Sequence, residues 1–262
     1  MTIAIATGKS DESWELKEAS RAGPLRTNVR QTPQIKGVSQ ILGYAPFSIL
    51  RQENQNLGLR MIKMPELVLL TYDALYFPHY PQSREIIGKL KTSWLAGNTA
   101  IYPLCQGIFV QDEPRFENVR MVMDEVRHEE SPKNKEKKLK KLERLLETKL
   151  GKYQDRGVVY SDDRSLRFTP YGFKVGEQTA SEIERSSGVI AVSGDGENAE
   201  KLARMSEKFE NLPSFCLGYD LDQPKIRIAD LNAHFSERRL NIGADGDEYS
   251  QVRYSFGVPI AV

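Results

Sequence analysis

Acidic side chains gather at three places in this chain: Asp162-Asp163, Asp220-x-Asp222 and Asp245-x-Asp247-Glu248. A metal-dependent nuclease needs two or three carboxylates converging on one divalent cation, often beside a lysine. Only Asp220, Asp222 and Lys225 have suggestive spacing for it. Aspartate is also favoured in turns beside strands, where its carboxylate takes local backbone N–H groups. The turn reading is preferred at all three places, so no catalytic residue and no metal ligand is assigned.

Other reactive patterns fall short of a known chemistry. Ser193-Gly194-Asp195-Gly196-Glu197 lacks the Gly-Lys-Ser/Thr ending of a phosphate loop and the three glycines of a dinucleotide fingerprint. Its acids would repel a phosphate but complement a helix N-terminus, so a tight turn into a helix is expected. His79, His128 and His234 stand apart, and Cys105 and Cys216 show no zinc spacing. Each cysteine lies in apolar sequence, which fits a buried reduced thiol and a cytoplasmic location. There is no Gly-x-Ser-x-Gly elbow. No cofactor is implied.

Cationic chemistry is better represented. Val38 to Arg51 has the pattern of a helix-turn-helix: a short apolar segment, Gly43, then a polar segment carrying Ser48 and Arg51. Its second helix would bring Ser48, Arg51, Gln52 and Gln55 to base edges or phosphates. Arg26, Arg30 and Lys36, on an arm before it, would follow the phosphate backbone or enter a minor groove. Ordinary core helix pairs share this pattern, and Pro46 makes the second helix start abruptly.

The second cationic candidate runs from Ser131 to Tyr153. Ser131-Pro132 makes a good helix start, and Leu139, Leu142, Leu146, Leu150 and Tyr153 recur at spacings of three and four. Lys137, Lys138, Lys140 and Lys141 lie among them. Such lysines can neutralise phosphates without reading sequence; the bland alternative is a solvated face over a leucine stripe packed on its own domain. The aromatics Tyr72, Tyr76, Phe77, Tyr80 and Trp94 could stack on unpaired bases, but they border apolar runs and are assigned to the core, as are Tyr160, Phe168, Tyr171 and Phe173.

Charge is uneven along the chain. Residues 1–63 and 128–153 each carry nine Lys+Arg against five Asp+Glu, whereas residues 154–262 carry thirteen against eighteen. The net charge of +1 argues against binding by the whole surface. At 262 residues, 39% hydrophobic and 28% charged, the chain is an ordinary globular protein with enough length for a proper core. It has no signal-peptide pattern at its start and no run of about twenty apolar residues, so no membrane role is expected.

The elements that must position these residues form an α+β fold. The expected organisation is an extended arm over 1–35, a mainly helical region over 36–153 with a projecting basic helical hairpin at about 113–152, and a sheet-containing region over 154–262. Residues 35–70 have helical periodicity; 100–110 is a strand or a short buried helix; 157–160 and 166–169 form a hairpin; 188–192 reads as a strand. The expected function is a non-enzymatic nucleic-acid-binding protein, with DNA preferred over RNA. Alternatives are a subunit of a homo- or hetero-oligomer, locked by its arm and hairpin, and a metal-dependent nuclease.

Overall fold

A computed structural model describes residues 40–114, 116–218, 224–233, 237–244 and 252–259. In chain order these residues form β1 (Gln40–Pro46), α1 (Phe47–Asn56), β2 (Leu59–Met61), α2 (Met64–Tyr76), α3 (Pro81–Thr92), β3 (Leu95–Pro103), β4 (Gly107–Asp112), α4 (Phe116–Arg127) and α5 (Pro132–Glu147). They continue through β5 (Gln154–Asp155), β6 (Val158–Tyr160), β7 (Leu166–Pro170), β8 (Gly176–Glu177), α6 (Ala180–Arg185), α7 (Ser187–Ser193) and α8 (Gly196–Ser206). The last strands are β9 (Ser214–Leu217), β10 (Arg227–Asn232), β11 (Asn241–Ala244) and β12 (Val252–Pro259). The fold is α+β.

One sheet runs through the molecule in the order β5-β6-β7-β4-β3-β10-β11-β9-β8. Its neighbours are antiparallel apart from β11 and β9. β12 meets β3 at Tyr254 and Leu95 and pairs antiparallel with both β1 and β2. Side chains on β3 and β4 alternate between two cores. Leu95, Ile101, Ile108 and Val110 face a core built with α2, α7 and α8, while Ala96, Ala100, Tyr102 and Phe109 face α1, α4 and α5.

Close packing dictates some residue choices. A Cβ on Gly107 would lie 2.1 Å from the Thr169 carbonyl oxygen, so the approach of β4 to β7 needs a glycine. Two ion pairs are buried within the sheet. The Arg167 guanidinium donates to both carboxylate oxygens of Asp112, and Arg253 Nε donates to Asp230 Oδ2 at 2.8 Å.

Several expectations change. Gln40–Pro46 is a strand, with Ile41 opposite Phe256 and Leu42 opposite Ser255. The helix-turn-helix therefore lacks its first helix: the backbone there pairs with β12, a partner too distant in sequence to register in local periodicity. Residues 59–61 within the expected helical stretch also form a strand, again on β12. Residues 188–192 form a helix, α7, whose Gly188 to Ser193 are all buried. A short element apolar on every side gives no period by which helix and strand can be told apart. Residues 100–110 are the hairpin of β3 and β4. The pairing of β6 with β7 lies where the hairpin was expected.

Candidate functional site

The cationic face is built on α5. Pro132 occupies its first turn, but the Ser131 side chain does not cap it; the Glu129 carboxylate accepts the Ser131 N–H at 3.3 Å instead. Leu139, Leu142 and Leu146 are buried with Val119, Met123 and Val126 of α4 against Tyr102 and Phe109 of the sheet. The helical hairpin thus has its leucine stripe anchored in a core. The helix ends at Glu147, so Tyr153 lies beyond it, its ring 5.2 Å from that of Tyr160 and beneath the Arg164 guanidinium.

At 100° per residue, Lys133, Lys137, Lys140, Lys141 and Arg144 project from the side of α5 opposite those leucines. All five are exposed, and eleven residues of rise make the ridge about 16 Å long. The lysines are not equivalent. Lys138, half-buried, bridges to Glu129 at 3.2 Å and Glu125 at 3.7 Å, which ties α5 back to α4 and its end. Lys140 pairs with Glu136 at 2.6 Å. Among the described residues, Lys137 and Lys141 have no hydrogen-bonding side-chain partner and remain available.

On the inner side of α5, Glu143 is 1% exposed and accepts the Gln106 N–H at 2.8 Å. Burial pushes its carboxyl above the usual range. The neighbouring Cys105 thiol is also pushed up, by burial and then by Glu143. Cys105 and Cys216 are half-buried thiols that form no disulfide among the described residues.

The other expected contacts are placed as follows. Ser48 and Arg51 lie half-buried on α1, whose Phe47 joins the same core as the α5 leucines, so both cationic segments cover one side of the sheet. Arg26, Arg30 and Lys36 lie outside the described residues, as do Asp220, Asp222, Asp245, Asp247, Glu248 and His234. Asp163 organises the β6–β7 turn, accepting from the Ser161 hydroxyl at 2.6 Å and from the Ser165 N–H at 3.0 Å. Asp195 caps α8 by accepting the Asn198 N–H at 2.8 Å, the tight-turn role expected for it. No group of three His, Cys, Asp or Glu side chains comes together to hold a metal among the described residues. Tyr72 and Tyr76 stack on each other at 4.4 Å, and Lys208 sits over Tyr76.

A groove on the opposite side of the sheet, between the segment after β7 and helices α6 and α7, has no counterpart in the sequence reading. Arg156, Phe173, Lys174, Gln178 and Arg185 line it. These residues come from separate elements and form no local motif.

No helix among the described residues is long and apolar enough to cross a membrane. No protein-family model matches the chain, and no curated protein matches it. A solved structure described as "Accommodation of massive sequence variation in Nanoarchaeota by the C-type lectin fold" is similar over 86% of this chain and 99% of its own, with a TM-score of 0.55 and 12% identity. At that identity the likeness is one of fold: the α+β architecture of this chain resembles the C-type lectin fold.

Proposed function

We propose that this protein is a non-enzymatic binding protein that engages nucleic acid through the cationic ridge of α5, with DNA as the first substrate to test. The observation that carries the reading is the ridge itself: Lys133, Lys137, Lys141 and Arg144 stand exposed along one line of a helix whose opposite side is locked into a core. A rigid row of cations spaced at about one helical turn matches a phosphate backbone without needing base contacts. Ser48 and Arg51, on the same side of the sheet, would extend the contact, as would Arg26, Arg30 and Lys36. The likeness to a fold described as accommodating massive sequence variation supports a scaffold whose surface can carry recognition without disturbing its frame. Fluorescence anisotropy with labelled duplex and single strands, across a salt series, tests it. Tight binding that weakens steeply with salt supports the reading, and no binding at low salt overturns it.

One observation favours a second reading, assembly. The same hairpin bears an open, mainly acidic cleft lined by Asp124, Glu125, His128, Glu129, Glu130 and Lys138, with Met121 57% exposed at its side. The ridge of one copy would complement the cleft of another. A mass that rises with concentration and falls with salt would support it; a monomer at all concentrations would exclude it.

A further inference from the structure

The groove beside α6 and α7 is an open one of about 640 Å³ and lies on the side of the sheet away from α5. Three cations line it, Arg156, Lys174 and Arg185, against one acid, Glu182. That acid is already committed: it accepts the Thr179 N–H at 2.7 Å and pairs with Lys174 at 2.9 Å. Arg185 has no hydrogen-bonding or ionic partner for its guanidinium among the described residues. Arg156 makes long contacts, 3.3 Å to the Glu184 carbonyl, 3.4 Å to Glu200 Oε1 and 3.9 Å to Asp155 Oδ1. The groove thus holds two guanidinium groups with unspent capacity for an anion.

Arg156 is the first of the two residues in the β5–β6 hairpin turn, a turn that needs a positive φ at both. Its φ is +45°, in the left-handed region where a residue other than glycine costs about 1–2 kcal/mol. A Cβ on Gly196 would lie 2.7 Å from Arg156 Cζ, which places the guanidinium against the start of α8. Gln178 adds an independent sign. It is 1% exposed and lines the groove, its Nε2 donates to the Lys174 carbonyl at 2.8 Å, and its Oε1 has no hydrogen-bond partner among the described residues. Tyr171 and Phe173 contribute half-buried rings 6.1 Å apart to the same lining.

From these groups we infer that the groove binds a small anion carrying a planar ring. Arg156 and Arg185 take its phosphate or carboxylate, its ring lies along Tyr171 and Phe173, and a ligand N–H or O–H satisfies Gln178 Oε1. Cations and aromatic surface lining one groove recognise the two halves together, so neither half alone suffices. The site is separate from the α5 ridge, and its failure would leave that reading untouched.

Calorimetric titration of the full chain with AMP and with benzoate tests the inference and separates a phosphate from a carboxylate ligand. Saturable binding of either is expected, with adenosine and inorganic phosphate at least tenfold weaker. Arg185→Ala and Arg156→Gly are each expected to weaken binding at least fivefold. Arg156→Gly should at the same time hold or raise Tm, because glycine accepts the backbone that arginine strains, and a Lys137→Glu/Lys141→Glu variant should bind as the unaltered chain does. The inference is overturned if neither AMP nor benzoate saturates at millimolar concentration, if adenosine binds as tightly as AMP, or if both groove variants bind unchanged.

Discussion

Arg167 on β7 grips Asp112 on β4 with two hydrogen bonds, 2.7 Å and 2.9 Å, in a place where the two side chains are 2% and 8% exposed. Nothing in the pair is left over. Arg167 Nε donates to the Ala191 carbonyl at 2.7 Å, and the Thr99 hydroxyl donates to Asp112 Oδ1 at 2.6 Å while accepting the Met64 N–H. The network joins β3, β4, β7, α7 and the start of α2. Removing one charge would strand the other away from water. Arg167→Met is expected to cost about 3–5 kcal/mol, read from urea unfolding. A loss under about 1 kcal/mol would mean that water reaches Asp112.

Tyr160 is the opposite case. It is 1% exposed and its hydroxyl has no hydrogen-bond partner among the described residues. Burial first, and then Asp155, push its phenol up to about 12. Tyr160→Phe removes an unsatisfied group and is expected to raise stability by about 1 kcal/mol. Because the folded pKa lies above the unfolded one, the native chain should lose stability as pH rises from about 10 to about 12. The phenylalanine variant should lose less, as followed by circular dichroism.

Two glutamates give pH dependences of opposite sign. Burial raises the carboxyl of Glu143, so its contribution to folding is fullest in acid and is lost as pH rises through the folded value. Glu143→Gln keeps an acceptor for the Gln106 N–H and should flatten that slope. Glu182 is held down to about 2 by the Thr179 N–H and then by Lys174. Its contribution is present above the ordinary glutamate value and lost as pH falls towards about 2. Carboxyl titration by NMR should find the two groups on opposite sides of the usual range.

Gly107 supplies a steric test of the sheet. Gly107→Ala would force its Cβ onto the Thr169 carbonyl, a backbone atom that cannot swing away. A cost of about 1–3 kcal/mol in denaturant unfolding is expected.

The sequence exposes some of this architecture and hides the rest for physical reasons. The α5 stripe is legible because Leu139, Leu142 and Leu146 repeat at helical spacing over several turns, with lysines marking the solvent side. β1 is not, because its partner β12 lies some two hundred residues on and seven residues hold no decisive period. α7 is buried all round, so its run of Val189, Ile190, Ala191 and Val192 has no polar side to betray a helix. Asp163 and Asp195 were legible as turn and cap residues because their partners lie within three positions. The groove escapes entirely, since Arg156, Gln178 and Arg185 meet only in the folded chain.

The unequal ties of the α5 lysines separate binding from stability. Lys138 bridges Glu125 and Glu129, so Lys138→Glu places a third negative charge against two and should loosen the hairpin, lowering Tm by a few degrees. Lys137 and Lys141 face solvent on the far side from the leucines, so reversing both should leave Tm nearly unchanged. If the ridge meets DNA, the double reversal should weaken binding at low salt and flatten the dependence of log affinity on log salt by about two. Lys138→Glu should affect that slope less, because its charge is already spent within the protein. Equal slopes for the double reversal and the unaltered chain, with both still binding, would remove the ridge from the interface and direct attention to Ser48 and Arg51.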